Sequence, residues 1–200
     1  MIPLQPPLRL AAETDAGALA DLVNFAGEGL PLHIWTGLTK PGEDPWEIGR
    51  SRQRDKARDG RIVVVDLGQG AIASLTGYAI GPQPEPVGED MPALFRPLQE
   101  LENQAPDSWY VNVLACYPEH RGKGYGSLLL KTAEAIARDA GLARMSVIVA
   151  DTNAGARRLY ERHGYREVAK RRCERGDWKA APEHWVLLIK GIGPGAAATG

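Results

Sequence analysis

Between His120 and Leu130 the chain reads HRGKGYGSLLL, three glycines and two cations in seven residues followed at once by an apolar run. A helix N-terminus presents unpaired N–H groups and the positive end of its dipole, so a bare, basic lead into a helix suits phosphate oxygens. Arg121 and Lys123 add charge at the same place. Two well-known phosphate loops are excluded by spacing. A P-loop needs Gly-Lys followed by Ser or Thr, whereas Gly122-Lys123 is followed by Gly124. A dinucleotide fingerprint needs G-x-G-x-x-G with an acidic residue about twenty positions on. Here the spacing is G-x-G-x-G, and that acidic residue is missing from its place.

A second constellation lies some thirty residues downstream, in NAGARRLYERHG. Asn153 is placed to cap the helix that follows, and Tyr160 is seven residues on, two turns along nearly the same face. That face can line a groove. The plainer reading of each is structural: a cap for Asn153, and for Tyr160 a ring packed under a sheet with its hydroxyl merely satisfied.

The first segment carries R-x-x-G-x-G as Arg121, Gly124 and Gly126, between a strand pattern and a helix pattern. Together with MSVIVADTNAGARRLYERHGYREV it resembles the GNAT superfamily of acyl-coenzyme A dependent N-acyltransferases, roughly over Trp109 to Val168. The resemblance implies an α/β fold, a mixed and mostly antiparallel twisted sheet with helices on both faces. It implies transfer of an acetyl group from acetyl-CoA, a co-substrate used without a metal, to a small-molecule or protein amine by direct attack in a ternary complex. The segment Arg121, Gly122, Lys123, Gly124, Tyr125, Gly126 and Ser127 would wrap the coenzyme A pyrophosphate. Backbone groups of Val113, Leu114 and Ala115, in a strand that splays from its neighbour, often at a bulge, would hold the pantetheine arm and thioester carbonyl. Asn153 and Ala156 would contact the cofactor, and Tyr160 would be the general acid.

The chemistry suits those residue types. An amine attacking a thioester forms an oxyanion and expels a thiolate, so a site must polarise the carbonyl, take up an amine proton and protonate sulfur. A phenol of pKa about 10 can serve a thiol of pKa about 8.5 when the two touch. The base is where the match thins: some family members place a carboxylate in the strand, but between Trp109 and Tyr117 stand Tyr110 and Asn112 without Asp or Glu. A base acting through water, or a carboxylate from elsewhere such as Glu28 or Glu102, stays open. Cys116 reads as a small buried apolar residue rather than an acyl carrier. His33, His120, His163 and His184 lack metal-ligand spacing and read as surface or helix-end residues. Trp35, Trp46 and Trp109 fit an acceptor pocket or the core equally well.

The elements that must position these groups are legible from periodicity. LRLAA reads as a strand and TDAGALADLVNFAGEG as a helix, while residues 30–43 show no clear period. DPWE supplies Asp44 as N-cap, Pro45 at the first helical position and Glu47 for a capping box, for a helix running to about Arg58. RIVVVDLGQGAIASLTGYAI is a hairpin, PQPEPVGEDMP an irregular connector, and MPALFRPLQELENQAP a short helix restarted at Pro97. SWYVNVLACYP is a strand. SLLLKTAEAIARDAG is a helix with Leu129, Ala133, Ile136, Ala137 and Ala140 on its apolar face. MSVIVA, YREVAKRRC and HWVLLIKGI complete the strands. Residues 1–192 read as one N-acetyltransferase domain and 193–200 as a frayed tail. The acceptor would bind to GEGLPLHIWTG and the acidic connector, irregular segments flanking the groove.

Bulk properties agree with this reading and narrow the partners. Two hundred residues with 44% hydrophobic content can bury a sizeable core. A formal charge of −1 gives no field for nucleic acid or an anionic membrane. The chain shows neither a membrane span nor a signal peptide, which makes a cytoplasmic location the expectation. Two distant cysteines suggest reduced thiols. A homodimer is left open. The alternative function is a domain that binds acyl-CoA without turning it over, as a sensor or partner-binding module; a generic nucleotide-binding protein fits the loop spacing less well.

Overall fold

The computed structural model describes residues 2–179 and 181–193; the expected frayed tail lies, beyond residue 193, outside the described residues. Seven strands form a sheet of order β1-β2-β3-β4-β5-β7-β6, with β1 at Leu8–Leu10, β2 at Val63–Asp66, β3 at Ala71–Ile80, β4 at Ser108–Cys116, β5 at Arg144–Ala150, β6 at Arg166–Arg172 and β7 at His184–Gly191. The pairs β1–β2, β2–β3, β5–β7 and β6–β7 are antiparallel and β4–β5 is parallel. Among the described residues six α-helices accompany them: α1 Ala16–Ala26, α2 Leu30–Leu38, α3 Pro45–Arg58, α4 Arg96–Glu102, α5 Tyr125–Asp139 and α6 Ala154–Arg162. The fold is the expected mixed, mostly antiparallel α/β sheet.

The chain forms two compact units, and β3, β4 and α5 each run through both. One unit comprises Pro3–Gly77 and Val113–Leu129. Its core gathers Leu19 of α1, Ala57 of α3, Val64 of β2 and Ala71 of β3 with Ala11 and Ile62. Arg9 of β1 grips Asp15 through both terminal nitrogens, at 2.7 and 2.9 Å, and Asp66 through Nε at 2.8 Å. Asp66 Oδ1 in turn accepts the amides of Gly68, Gln69 and Gly70, which closes the β2–β3 hairpin. Helix α3 starts as its sequence dictates, with Asp44 accepting from the Trp46 amide at 3.0 Å. The Glu47 half of the expected capping box is diverted to Arg50.

Residues 30–43 depart from expectation, since α2 occupies Leu30–Leu38. Gly29, at φ 85°, and Pro31 in the first turn start it, and Asn24 Oδ1 accepts from the Leu32 amide at 3.0 Å. Trp35 of α2 is buried and meets Trp46 edge to face at 5.7 Å. Gly49 of α3 presses on the Trp35 ring, where a Cβ would stand 2.5 Å from ring carbon. Trp35 and Trp109 are therefore core residues.

The other unit comprises Ile2, Tyr78–Asn112 and the described chain from Leu130 onward. Leu101, Leu130, Ala133, Ala137, Met145, Leu187 and Leu188 are fully buried in it. The buried face of α5 includes the expected Leu129, Ala133 and Ala137 and takes in Leu130 as well, while Ala140, past the end of the helix, is exposed. Glu134 lies on that helix too, almost fully buried, and pairs with Lys190 of β7.

Candidate functional site

The glycine segment is built by two turns in succession. Strand β4 ends at Cys116, Pro118–His120 make a single 3₁₀ turn, and the Tyr117 amide ties that turn to Ile72 of β3 at 3.0 Å. Arg121 Nε donates to the Cys116 carbonyl at 3.1 Å, folding the loop back on the strand end. Gly122 and Gly124 then take φ 75° and 89°, a region that β-carbons disfavour. Nothing stands within 4 Å of a Cβ placed at either position, so backbone conformation rather than crowding calls for glycine there. Helix α5 begins at Tyr125, two residues ahead of the expected start, and its first bond runs from the Leu128 amide to the Gly124 carbonyl at 3.0 Å. Gly126 consequently sits in the first helical turn. The side chains of Arg121 and Lys123 are exposed, and neither has an ion-pair partner among the described residues. Two cations, glycines over open space and a helix N-terminus fit the diphosphate of coenzyme A.

The strand before the loop carries a second element of the expected site. The β4–β5 ladder joins Trp109, Tyr110 and Val111 to Met145, Ser146 and Val147, and the described pairing stops there although β4 continues to Cys116. Val113, Leu114 and Ala115 thus lie beyond the stretch paired with β5. Register shifts fall in β2 and β6, between Val65 and Asp66 and between Glu167 and Ala169. Cys116 follows as a half-buried thiol that burial pushes up, as for a packing residue rather than a nucleophile.

In the other unit, Asn153 caps α6, its Oδ1 accepting from the Ala156 amide at 3.0 Å. The Ala156 N–H is therefore already used by the cap. Tyr160 is 4% exposed, and burial raises its pKa well above that of an ordinary phenol, which keeps it protonated. Its ring lies 5.5 Å from that of Tyr165. The Tyr165 hydroxyl is buried without a hydrogen-bond partner among the described residues, and burial holds it, too, in the phenol form.

The same unit holds a carboxylate that local pattern could not single out. Glu102, the last residue of α4, accepts from the Tyr78 hydroxyl of β3 at 2.8 Å. Tyr78 meets Tyr110 of β4 at 5.2 Å between ring centroids, at 60°. Burial raises the Glu102 pKa above the usual carboxylate value, and the Tyr78 hydrogen bond opposes that rise only in part. The Tyr110 hydroxyl, fully buried, pairs with the exposed Asn112 side chain and is raised by burial and by the charge of Glu102. Elsewhere in this unit His184 donates its amide to Asp151 Oδ2 at 3.0 Å, with Nδ1 at 3.2 Å from the same oxygen, so that this histidine joins the end of β5 to the start of β7. His120 ends the 3₁₀ turn before the loop, half-buried, with Nδ1 enclosed and without a partner among the described residues.

One unit thus holds a basic glycine turn between strand and helix, and the other a shielded phenol on a capped helix. The profile of the acetyltransferase (GNAT) family matches residues 32–165, and the chain belongs to that family. Solved structures share its fold. An arylalkylamine N-acetyltransferase-like protein from mosquito superposes with a TM-score of 0.64 at 17% identity, covering 92% of this chain and 99% of that one. An agmatine N-acetyltransferase superposes with a TM-score of 0.64 at 17% identity, over 92% and 98% of the two chains. The ribosomal-protein-S18-alanine N-acetyltransferase from Escherichia coli gives 0.56 at 16% identity, over 96% and 97%. Among the described residues no helix is long and apolar enough to cross a membrane.

Proposed function

We propose that this member of the acetyltransferase family moves an acetyl group from acetyl-CoA to an amine, by direct attack in a ternary complex within one N-acetyltransferase domain spanning residues 1–192. The observation that carries the reading is the Arg121–Tyr125 turn. Its two left-handed glycines leave open space over the backbone just where a helix begins and where two cations stand without an ion-pair partner among the described residues. The match of the family profile, from residue 32 to 165, takes in sequence from both units.

Acetyl-CoA supplies the activated acyl group, and the chain supplies the rest. Arg121, Lys123 and the amides of Gly122, Gly124, Tyr125, Gly126 and Ser127 hold the diphosphate. Backbone groups of Val113, Leu114 and Ala115, beyond the part of β4 paired with β5, orient the pantetheine arm and polarise the carbonyl. Asn153 shapes the start of α6 and contacts the cofactor, and Tyr160 delivers its proton to sulfur. A phenol with a raised pKa is a weak acid in water. A thiolate expelled into an equally dry setting is destabilised as well, so the same burial that holds the proton on Tyr160 raises the affinity of sulfur for it. Because the Asn153 oxygen already takes the Ala156 amide, Ala156 serves the cofactor by close approach rather than by that N–H. The acceptor side is open in kind: the neighbours are named for small amines and for a ribosomal protein.

Calorimetric titration with acetyl-CoA, with ATP and NAD as controls, tests the reading. Saturable binding of acetyl-CoA alone, followed by thiol release with an amine panel, is the expected result. A folded protein that ignores acetyl-CoA overturns it, and one that binds acetyl-CoA without turnover over a broad panel is the sensor module instead.

A further inference from the structure

Where β5 ends and β7 begins, two carboxylates and an imidazole come together within one compact unit. A carboxylate oxygen of Asp151, one of Glu183 and a ring nitrogen of His184 all lie within 4.8 Å of one another. Carboxylates that close repel unless positive charge stands beside them. Among the described residues no lysine or arginine pairs with Asp151 or Glu183, and the basic group at hand is His184. An imidazolium brings one positive charge to two negative ones; a divalent cation brings two. Asp151 carries an independent sign. Its Oδ2 accepts the His184 amide at 3.0 Å, whereas its Oδ1 is fully enclosed and meets no hydrogen-bond donor among the described residues. An enclosed carboxylate oxygen without a donor is costly, and a bound cation removes that cost.

We propose that Asp151, Glu183 and His184 form a site for a divalent transition-metal ion, zinc being the best match, which fastens the start of β7 to the end of β5 and takes no part in acetyl transfer. The donor set selects the metal. Magnesium and calcium take oxygen ligands, whereas an imidazole nitrogen beside carboxylate oxygens suits zinc and its first-row neighbours. Ligands about 2.0–2.2 Å from a tetrahedral zinc stand about 3.3–3.5 Å from one another. His184 Nδ1 and Asp151 Oδ2, at 3.2 Å, are already close to that separation. Glu183, exposed and just ahead of β7, is free to swing its carboxylate the remaining distance. The backbone around the ligands is set beforehand. The Asp151 amide donates to the His184 carbonyl at 3.0 Å, and the Cys173 amide to the Glu183 carbonyl at 2.8 Å. The His184 amide on Oδ2 orients the Asp151 carboxylate, as an outer hydrogen bond orients a metal ligand. Asp151 and His184 stand 33 positions apart, so no local spacing announces the set.

The test titrates the full chain, free of any affinity tag, with zinc chloride in a buffer that does not chelate, and with magnesium and calcium chloride as controls. The expected result is saturable binding of one zinc ion per chain, much weaker binding of the other two ions, and a melting temperature that rises with zinc. His184→Gln and Glu183→Gln should each weaken zinc at least tenfold, since loss of even an outer partner of a metal ligand typically costs about 10- to 100-fold. Glu183 is exposed, so its variant keeps the test decisive if His184→Gln fails to fold. His163→Gln, on the turn after α6, should leave zinc affinity within twofold. Failure of zinc to bind, or equal zinc affinity in the native protein and Glu183→Gln, overturns the site. So does a loss in His163→Gln as large as in His184→Gln, which would trace the metal to scattered histidines. Calcium or magnesium bound as tightly as zinc overturns the choice of a transition metal.

Discussion

Arg121 reaches back five residues and donates from Nε to the carbonyl of Cys116 at 3.1 Å, so the cation that leads the glycine turn is braced against the end of the strand before it. One nitrogen is committed to the brace, and the terminal nitrogens point charge into an exposed turn without an acidic partner among the described residues. Substituting Arg121→Ala should remove a charged hydrogen-bond donor worth about 1.5–3 kcal/mol, or roughly 10- to 100-fold in acetyl-CoA affinity. Arg121→Lys should recover only part, since one ammonium cannot brace the turn and face the diphosphate together. Calorimetric dissociation constants at low and high salt check this; native affinity in Arg121→Ala would remove the residue from the site.

Gly124 separates conformation from ligand contact. At φ 89°, any side chain strains the backbone by roughly 1–2 kcal/mol, yet nothing in the protein crowds a Cβ there. Gly124→Ala and Gly124→Glu should therefore lower thermal stability by similar small amounts, a few degrees. Their acetyl-CoA affinities should diverge, with Gly124→Ala weakened modestly and Gly124→Glu abolished by charge repulsion at the diphosphate. Melting curves paired with titration decide it, and equal affinities would place the diphosphate elsewhere.

Legibility in the sequence followed the range of each interaction. Asp44 with Pro45, the Asp66–Gly70 turn and Asn153 ahead of α6 are local signals, and each cap or turn appears where the residues put it. Helix α2 was hidden because Pro31, Thr36 and Gly37 are poor helix formers; its one readable signal was Gly29 followed by Pro31, a start written in backbone geometry rather than hydrophobic period. The apolar face of α5 was legible in Leu129, Ala133 and Ala137, and Leu130 was missed because it falls outside a single 3.6-residue stripe. Glu102 could be named only as one open carboxylate among others. Its partner Tyr78 is 24 positions away on a different element, and a hydrogen bond across that distance leaves no spacing to read.

Tyr160 and Tyr165 are adjacent buried phenols with different expected roles. Tyr160→Phe should lower turnover about 10²-fold or more with acetyl-CoA affinity nearly unchanged, the usual worth of a general acid. Tyr165→Phe removes a buried hydroxyl that has no hydrogen-bond partner among the described residues, so it should keep turnover and match or exceed native thermal stability. Turnover measured by thiol release, beside melting curves, separates them; native turnover in Tyr160→Phe would return that ring to packing alone.

Acid stability should report the Arg9 network. Asp15 is 5% exposed and held by the Arg9 guanidinium and the Ala12 amide, so its native pKa is pushed below the ordinary carboxylate value. A carboxyl with a depressed folded pKa adds stability that is fully present above the unfolded value, about 3.9, and is lost as pH falls through the folded one. Denaturant midpoints of the native chain should thus be steady in this contribution near neutrality and decline below about pH 4. Asp15→Asn keeps the shape but weakens both grips of Arg9, and should cost about 1.5–3 kcal/mol at pH 7. The deficit should shrink as the native protein is acidified, because protonation takes the same charge away. A deficit that stays constant from pH 7 down to pH 3 would show that packing around Asp15, and not its charge on Arg9, holds β1 to the start of α1.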